Sequence, residues 1–413
     1  MRSLFTAIVR TMRPFNTARI AAPLLLLTLF FAGCGGSTST STQAPTSGLK
    51  KRVLLSNQQG NVVNILDATK DVLSISTIGI GSPGKMVTAG GFTGVITTTA
   101  NQFSAIDNTK EQDVQAGNTT DRVVDVAISK DGKNVYAAVR NIGLVYGMST
   151  ADGSLVTFSV PSVARLVLSP NGTKLLAFVD DPNALNPPNK GGFFVIDVAS
   201  KSVTGITGAK LDQPFTAVFN TSETQAFVLN CGAECSGTAA SVVSVDFTAA
   251  PVFGTPVPVS GATVGLLSGS NLFVAGTPAG SSSGTLQTIN TGSMTASAPL
   301  AITDGKHLKM AMAGNNRLYV GASACTPQSD ASTGLIRGCL SIVNTSSSSV
   351  AFPEFSTLRT RFDVTGIQPI SNRNVAYVCE GGELDIYDTT TDKLTPTQID
   401  IVGNAFDVVQ IDP

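Results

Sequence analysis

Residues 129–140, SKDGKNVYAAVR, join a turn to an apolar run, and residues 169–180, SPNGTKLLAFVD, repeat the pattern 40 positions later. The pairs Asp131-Gly132 and Asn171-Gly172 supply the positive φ that tight hairpin turns require. The apolar run after each turn has the length and composition of a β-strand. The two stretches therefore predict a repeated hairpin.

Similar apolar runs recur along most of the chain at spacings of 40 to 58 residues, which is the range of repeat architectures. Each run is followed by a second apolar strand that ends near an acid or amide before a small or Thr-rich turn. A short carboxylate or amide at that place closes a turn by accepting backbone N–H groups. The eight runs begin at Arg52, Gly94, Asn134, Lys174, Gln225, Asn271, Arg317 and Val375. The seven turn residues are Asp67, Asp107, Asp197, Asp246, Asn290, Asn344 and Asp388.

A further apolar segment precedes most of these runs, and a more polar strand closes each unit. Four antiparallel strands in about 45 residues are the blade of a β-propeller. The stretches 129–140, 169–180 and 374–394 resemble the YVTN-type propeller repeat, whose pattern runs S-P-D-G-K, a Tyr-Val-rich strand and V-I-D-T. The resemblance implies an all-β fold. It leaves function open, because the family includes lactonase-like and purely binding members.

The two ends of the repeat region predict how the ring closes. The region opens at Arg52 on a second-type strand and ends at 405–413 on an inner strand with no successor. The last strand is therefore expected to complete the first blade, which leaves no exposed sheet edge. This arrangement predicts eight blades. Seven is the alternative if the weak unit at 84–117 is not an independent blade.

The first 33 residues have the pattern of an export signal. Four arginines precede an apolar stretch from Ile20 to Phe31, which is too short to span a bilayer. Translation from Met12 gives a more compact signal than translation from Met1. Ala32-Gly33-Cys34 resembles the lipobox of bacterial lipoproteins, in which the signal is cleaved before the cysteine and the thiol is lipidated. An ordinary secretory signal is the alternative.

Residues 34–50 are uncharged until Lys50 and rich in Ser and Thr, which predicts a flexible tether before a propeller domain at 51–413. Gly35 stands where proteobacterial lipoproteins retained in the inner membrane carry Asp. We therefore expect a cell-envelope protein anchored through Cys34, in the outer membrane rather than the inner one.

The remaining cysteines suit an oxidising compartment. Local spacing predicts the disulfides Cys231–Cys235 and Cys325–Cys339 and leaves Cys379 unpaired. A zinc site usually shows two CxxC knuckles, and the sequence has none. Free thiols remain the other interpretation.

The longest insertions, 180–192, 231–241, 277–284 and 324–338, all fall between second and third strands, so they share one face of a propeller. Insertions on one face often mark a binding surface; surface drift is the alternative. The loops between blades bring charge to the same face. Arg165 stands out at the entrance of an inner strand, where it predicts either an anion contact or an inter-blade ion pair. The candidate binding face is Arg122, Arg165, Asp180, Asp181, Asp212, Lys306, His307, Arg359 and Arg361.

Composition limits the function classes. A formal net charge of −1 without basic clusters argues against nucleic-acid binding. His307 is the single histidine, and no G-x-S-x-G elbow accompanies it, so a Ser-His-Asp or Cys-His enzyme is not indicated. We therefore predict a binding or scaffolding module for an envelope protein, peptide or glycan, with no cofactor. The alternative is a lactonase-like hydrolase with a Ca²⁺ site made of oxygen ligands on the insertion-bearing face.

Overall fold

Eight antiparallel blades, each with four strand positions, surround one axis in the computed structural model, which describes residues 46–181, 183–185, 191–329, 332, 334–355 and 361–412. The inner strands of neighbouring blades contact one another all the way around the ring. The unit at 84–117 forms a complete blade of its own, so eight blades is correct and seven is wrong.

The strands follow the chain blade by blade. The first blade begins with β1 (Arg52–Asn57), β2 (Val62–Asp67) and β3 (Val72–Gly79). The second is β4 (Pro83–Ala89), β5 (Phe92–Thr97), β6 (Gln102–Asp107) and β7 (Gln112–Asn118). The third is β8 (Asp125–Ile128), β9 (Asn134–Val139), β10 (Leu144–Ser149) and β11 (Leu155–Ser159). The fourth is β12 (Val163–Leu168), β13 (Lys174–Val179), β14 (Phe193–Asp197) and β15 (Val203–Ile206).

In the later blades the outer strand is short or split. The fifth is β16 (Pro214–Phe219), β17 (Gln225–Asn230), β18 (Ser241–Asp246), β19 (Val252–Phe253) and β20 (Val257–Pro258). The sixth is β21 (Val264–Ser268), β22 (Asn271–Gly276), β23 (Gly284–Asn290), β24 (Thr295–Ala296) and β25 (Leu300–Ile302). The seventh is β26 (Lys306–Ala313), β27 (Arg317–Ser323), β30 (Leu340–Asn344) and β31 (Ser349–Ala351), with a small added sheet of β28 (Gln328–Ser329), β29 (Ile336–Arg337) and β32 (Glu354–Phe355). The eighth is β33 (Val364–Pro369), β34 (Val375–Glu380), β35 (Glu383–Asp388) and β36 (Lys393–Leu394).

The last strand, β37 (Ala405–Gln410), closes the ring as expected. It pairs antiparallel with β1 and so becomes the inner strand of the first blade. Arg52 adds an ion pair to Asp412, with its Nε 2.7 Å from the carboxylate. Because the closing strand joins the two ends of the chain, the first blade depends on residues more than 350 positions apart.

The core lies between the blades. One apolar cluster packs Val53 and Leu55 of the first blade against Tyr377 and Ile386 of the eighth, and comparable clusters fill the other interfaces. The turn residues behave as their pattern predicts; for example, Asp67 accepts the Thr69 N–H at 2.9 Å. In the part of the chain that is described, no helix is long and apolar enough to cross a bilayer.

Candidate functional site

The insertion face of the propeller carries the loops between second and third strands and the loops that enter each inner strand. The described parts of all four long insertions lie there, in blades four to seven. Both predicted disulfides are present, Cys231–Cys235 and Cys325–Cys339. The opposite face, called here the turn face, carries the short hairpin turns.

A bulge near the start of most inner strands sets one residue apart in each blade. The register with the second strand shifts there, for example between Val163 and Arg165 in blade four. We call the residue directly after the bulge the collar position, because it recurs around the central channel. Corresponding registers place Asp407, Lys85, Asp125, Arg165, Thr216, Lys309 and Gly366 there, in blades one to five, seven and eight.

Two acids at the collar position join neighbouring blades. Asp125 of blade three accepts the Leu166 N–H of blade four at 2.8 Å. In the same way, Asp407 of blade one accepts the Met86 N–H of blade two at 2.9 Å. Both carboxylates are buried. Each therefore replaces water on a backbone donor of the next inner strand and holds two blades together.

Lysines at the collar position neutralise both of these acids. Lys85 pairs with Asp125, and Lys309 pairs with Asp407 at 2.9 Å, reaching past blade eight. Blade eight has Gly366 at this position, where a Cβ would lie 2.9 Å from the Asp407 carboxylate. Among the described residues, the collar thus holds three cations and two anions, and Arg165 is the cation for which they provide no partner carboxylate.

Arg165 rests on an aromatic ring instead of forming the inter-blade ion pair. Its guanidinium carbon lies 3.3 Å from the ring centroid of buried Phe215, the bulge residue of blade five. Within the described residues, the guanidinium has no hydrogen-bond or ion-pair partner. Burial lowers the pKa of Arg165 to about 10, and the charges of Asp125 and Asp180 offset this only in part. Arg165 is still a cation at neutral pH.

A second cation stands over the same ring. Lys306 of blade seven places its Nζ 4.8 Å from the Phe215 centroid, across blade six. Desolvation first, and then the Arg165 charge, lowers the pKa of Lys306. Two positive groups at one aromatic ring repel each other, and cation–π attraction of about 0.5–2 kcal/mol each offsets part of that cost. An arriving anion would relieve the repulsion.

Among the carboxylates around Lys306, Glu234 on the small disulfide loop has the largest electrostatic effect on its pKa. Glu234 belongs to a single 3₁₀ turn, Gly232–Cys235, which the Cys231–Cys235 bond closes. It accepts the Thr277 N–H of the neighbouring insertion at 2.9 Å. Burial raises the pKa of Glu234, and the Thr277 bond and the Lys306 charge act in the opposite direction. We call Arg165, Phe215, Lys306 and Glu234 the Arg165 site.

The structure separates the remaining predicted face residues by role. Asp180 pairs with Arg140 at 2.7 Å, and Asp212 accepts the Ala239 N–H at 2.9 Å, which fastens the insertion of blade five. Asp181 accepts the Asn183 N–H, and Arg122 and Arg361 are exposed. Arg359 and Cys34 lie outside the described residues. Of the predicted set, Arg165 and Asp180 lie close enough to Lys306 for their charges to shift its pKa.

His307 and Cys379 are not placed for chemistry at a surface. His307 is fully buried against Gly284, where a Cβ would lie 2.4 Å from the ring, and burial lowers its pKa to about 4. Cys379 is a free, fully buried thiol whose pKa burial raises well above its usual value. A neutral buried thiol is a poor nucleophile.

Sequence reasoning missed Phe215, Glu234 and the paired collar charges. Phe215 reads as an ordinary apolar strand residue, and Glu234 as part of a disulfide loop. One signal was available: RVVDVAIS (122–129), SVARLVLS (162–169) and AFDVVQI (405–411) align with their charged residue at one position. The identity of the partners depends on which blades stand side by side.

Comparison with known proteins identifies the fold and goes no further. No known family profile matches the chain, and no curated protein matches it. Among solved structures it is similar to the dihydro-heme d1 dehydrogenase NirN in complex with DHE, with a TM-score of 0.65 and 12% identity over 88% of this chain and 75% of that one. AztD from Citrobacter koseri gives 0.59 and 12% over 87% and 97%. A functionally unknown protein from Desulfotomaculum acetoxidans gives 0.53 and 12% over 87% and 98%.

Proposed function

We propose that this chain is a lipid-anchored binding module of the bacterial cell envelope, whose insertion face contacts an envelope protein, peptide or glycan. One observation carries the proposal: one face of the propeller carries long, disulfide-closed loops, whereas the other carries short hairpin turns. The long insertions, both disulfides and the unpaired Arg165 lie on the insertion face. Stiffened loops lose less conformational freedom on binding, which favours affinity.

The N-terminal segment reaches the propeller on the other face. Ser47 donates its backbone N–H to Glu111 at 2.5 Å, and Glu111 lies in a turn between the outer strands of blade two. A tether that begins at a lipidated Cys34 would therefore join the turn face.

The envelope location rests on sequence. The proposal adopts a signal peptide at 1–33, a lipidated Cys34 with a tether to residue 50, the YVTN-type repeat and outer-membrane placement. No cofactor is part of it, and a net charge of −1 gives no support for a nucleic-acid partner.

The Ca²⁺ hydrolase alternative would need several unpaired oxygen ligands at one place. At the collar, Asp125 and Asp407 each face a lysine. Within the described ranges, no three His, Cys, Asp or Glu side chains gather into a potential metal site. No observation in the structure favours this alternative over a binding module.

The proposal is tested by site-specific photo-crosslinking of the full chain in bacterial cells. A photoreactive residue replaces exposed Ser282 on the insertion face, and the matched control replaces exposed Lys130 on the turn face. We expect discrete adducts from position 282 alone, and release of the protein from membranes by Cys34→Ser. Equal adducts from both positions would contradict the face assignment, and a membrane-bound Cys34→Ser protein would contradict the anchor.

A further inference from the structure

We propose that the Arg165 site binds the carboxylate of a small organic acid. This inference rests on the proposed binding function and names a ligand chemistry for one part of the insertion face. It starts from a partly buried positive group beside an aromatic ring that makes no hydrogen bond with any described residue. A buried charge is normally paired, and an unpaired one is costly unless a ligand completes it.

The carboxylates near Arg165 are already committed to other cations. Asp125 faces Lys85 and also accepts two backbone N–H groups, from Val126 and Leu166. Asp180 forms its ion pair with Arg140. Movement of either acid toward Arg165 would leave another cation without its partner. Neither Asp125 nor Asp180 is therefore readily available to accept hydrogen bonds from the Arg165 guanidinium.

The stacking of Arg165 determines which donors a ligand would meet. A guanidinium whose central carbon lies 3.3 Å from a ring centroid still has N–H groups at its edge that the ring does not cover. Those donors form a planar fork that matches the two oxygens of a carboxylate. The Phe215 ring also limits rotation of the fork, so the donors are oriented before the ligand arrives.

The charge of the site matches a single anion. Arg165 and Lys306 contribute two positive charges, and ionised Glu234 contributes one negative charge. The net value of about +1 suits a monoanion, and Glu234 would repel a second negative charge, such as the one that phosphate carries in its dianionic form. The disulfide Cys231–Cys235 holds Glu234 in this position, so the preference is built into a stapled loop.

Apolar surface borders the charged groups. Phe215 supplies a buried aromatic ring, and Leu308, the bulge residue two positions after Lys306, has 44% of its surface exposed. An acid with a compact apolar body would cover part of this surface while its carboxylate meets Arg165. Benzoate has these properties, and benzyl alcohol has a similar shape without the charge.

The test is isothermal titration of the full chain in detergent with benzoate, benzyl alcohol and inorganic phosphate at pH 7 and constant ionic strength. We expect benzoate to bind more tightly than either of the others. Arg165→Gln should weaken benzoate binding at least tenfold, and Lys306→Gln about threefold. Lys130→Gln removes an exposed cation from the turn face and should change the affinity less than twofold.

Arg165→Lys keeps the charge but removes the planar fork, so it separates bidentate binding from simple attraction. We expect it to lose most of the preference for benzoate over phosphate. The unfolding midpoint of each variant shows whether a loss of binding is a loss of fold. The inference is overturned by an absence of benzoate binding, by phosphate binding more tightly than benzoate, or by a folded Arg165→Gln protein with unchanged affinity.

The outcomes also separate this inference from the proposed function. Adducts from position 282 without benzoate binding would overturn the carboxylate site and leave the binding module standing. Benzoate binding without adducts, together with a membrane-bound Cys34→Ser protein, would overturn the envelope proposal alone.

Discussion

Acidic residues have two structural roles in this protein: some close turns within a blade, and others bind the backbone of the next blade. The position of the residue in the blade determines its role. At the turns, Asp246 and Asp388 accept nearby N–H groups and their pKa values fall below the usual range, mainly because of bonds from Thr248 and Thr390. This stabilisation is present above the unfolded pKa near 4 and disappears as the pH falls through the folded value. At the collar, Asp125 and Asp407 reach the next blade instead.

His307 should produce a pH-dependent loss of stability. Its pKa is about 4 in the folded protein because the ring is buried, against 6.5 for the free side chain. Between these values the unfolded chain binds the extra proton, so stability falls as the pH decreases from 6.5 to 4. At pH 5 the loss is about 2 kcal/mol relative to neutral pH.

The measurement is urea denaturation of the wild type and His307→Leu at pH 7.5 and pH 5. Neither ring nitrogen meets the geometry of a hydrogen bond among the described residues, and the Thr303 backbone offsets only part of the effect of burial on the pKa, so the apolar variant loses little there. We expect it to gain about 2 kcal/mol over the wild type on moving to pH 5. Asp113, with a pKa raised by burial to about 6, titrates with the opposite sign and cancels between the two proteins. A constant difference would contradict the burial argument.

At the scale of elements, the repeating blade tolerates long insertions where the second strand meets the third. Those loops leave the four-strand pairing intact, because a hairpin can lengthen without changing the register of its strands. The insertion of blade seven even forms its own sheet from β28, β29 and β32. Disulfides close the insertions of blades five and seven, and residues of these loops such as Cys339 also pack in the core.

The two disulfides should differ in their contribution to stability. The bonds close loops with sequence separations of 4 and 14 residues. A cross-link restricts the unfolded chain more when its loop is longer, which predicts roughly 2 kcal/mol for Cys231–Cys235 and roughly 3 kcal/mol for Cys325–Cys339.

Guanidinium denaturation of two double-serine variants measures this difference. Replacement of Cys231 and Cys235 should also weaken the benzoate preference over phosphate, because Glu234 loses its support. Replacement of Cys325 and Cys339 is the control for that effect. A larger destabilisation from the shorter loop would show that native contacts, and not chain entropy, dominate.

At the scale of the whole molecule, closure depends on a few contacts between distant parts of the chain. Asp407 sits on the closing strand, binds the Met86 N–H of blade two and pairs with Lys309 of blade seven. Three blades therefore share one carboxylate. Arg373 adds an ion pair from blade eight to Asp71 of blade one on the turn face.

Loss of the Asp407 charge should destabilise the entire ring. We expect Asp407→Asn to lower the free energy of unfolding by about 2–4 kcal/mol, because Lys309 is left partly buried without its partner. Asp363→Asn, directly before the inner strand of blade eight, removes a carboxylate with no comparable contact among the described residues and should cost less than about 0.5 kcal/mol. Both variants are compared with the wild type by thermal and by chemical denaturation. Equal destabilisation by Asp407→Asn and Asp363→Asn would show that Asp407 does not stabilise the contacts between blades.

Local chemistry accounts for what sequence reasoning predicted correctly. Strand positions, the turn roles of Asp67 and its counterparts, the two short-range disulfides and closure by β37 follow from periodicity, turn propensity and unpaired sheet edges. Each rests on residues that are close in the chain or on a repeat that is visible without coordinates. Even the position of Arg165, at an inner-strand entrance, could be inferred in this way.

Its partners could not. Sequence reasoning offered an anion contact or an ion pair for Arg165, and the outcome depends on Asp125 being taken by Lys85 and Phe215 lying alongside. Lys306 reaches the same ring from two blades further on. These contacts depend on the curvature of the closed eight-bladed ring, which brings together side chains that are about 50 to 140 residues apart in the chain. Repetition along the chain thus determines the blades, whereas the geometry of closure decides which charges remain without a partner.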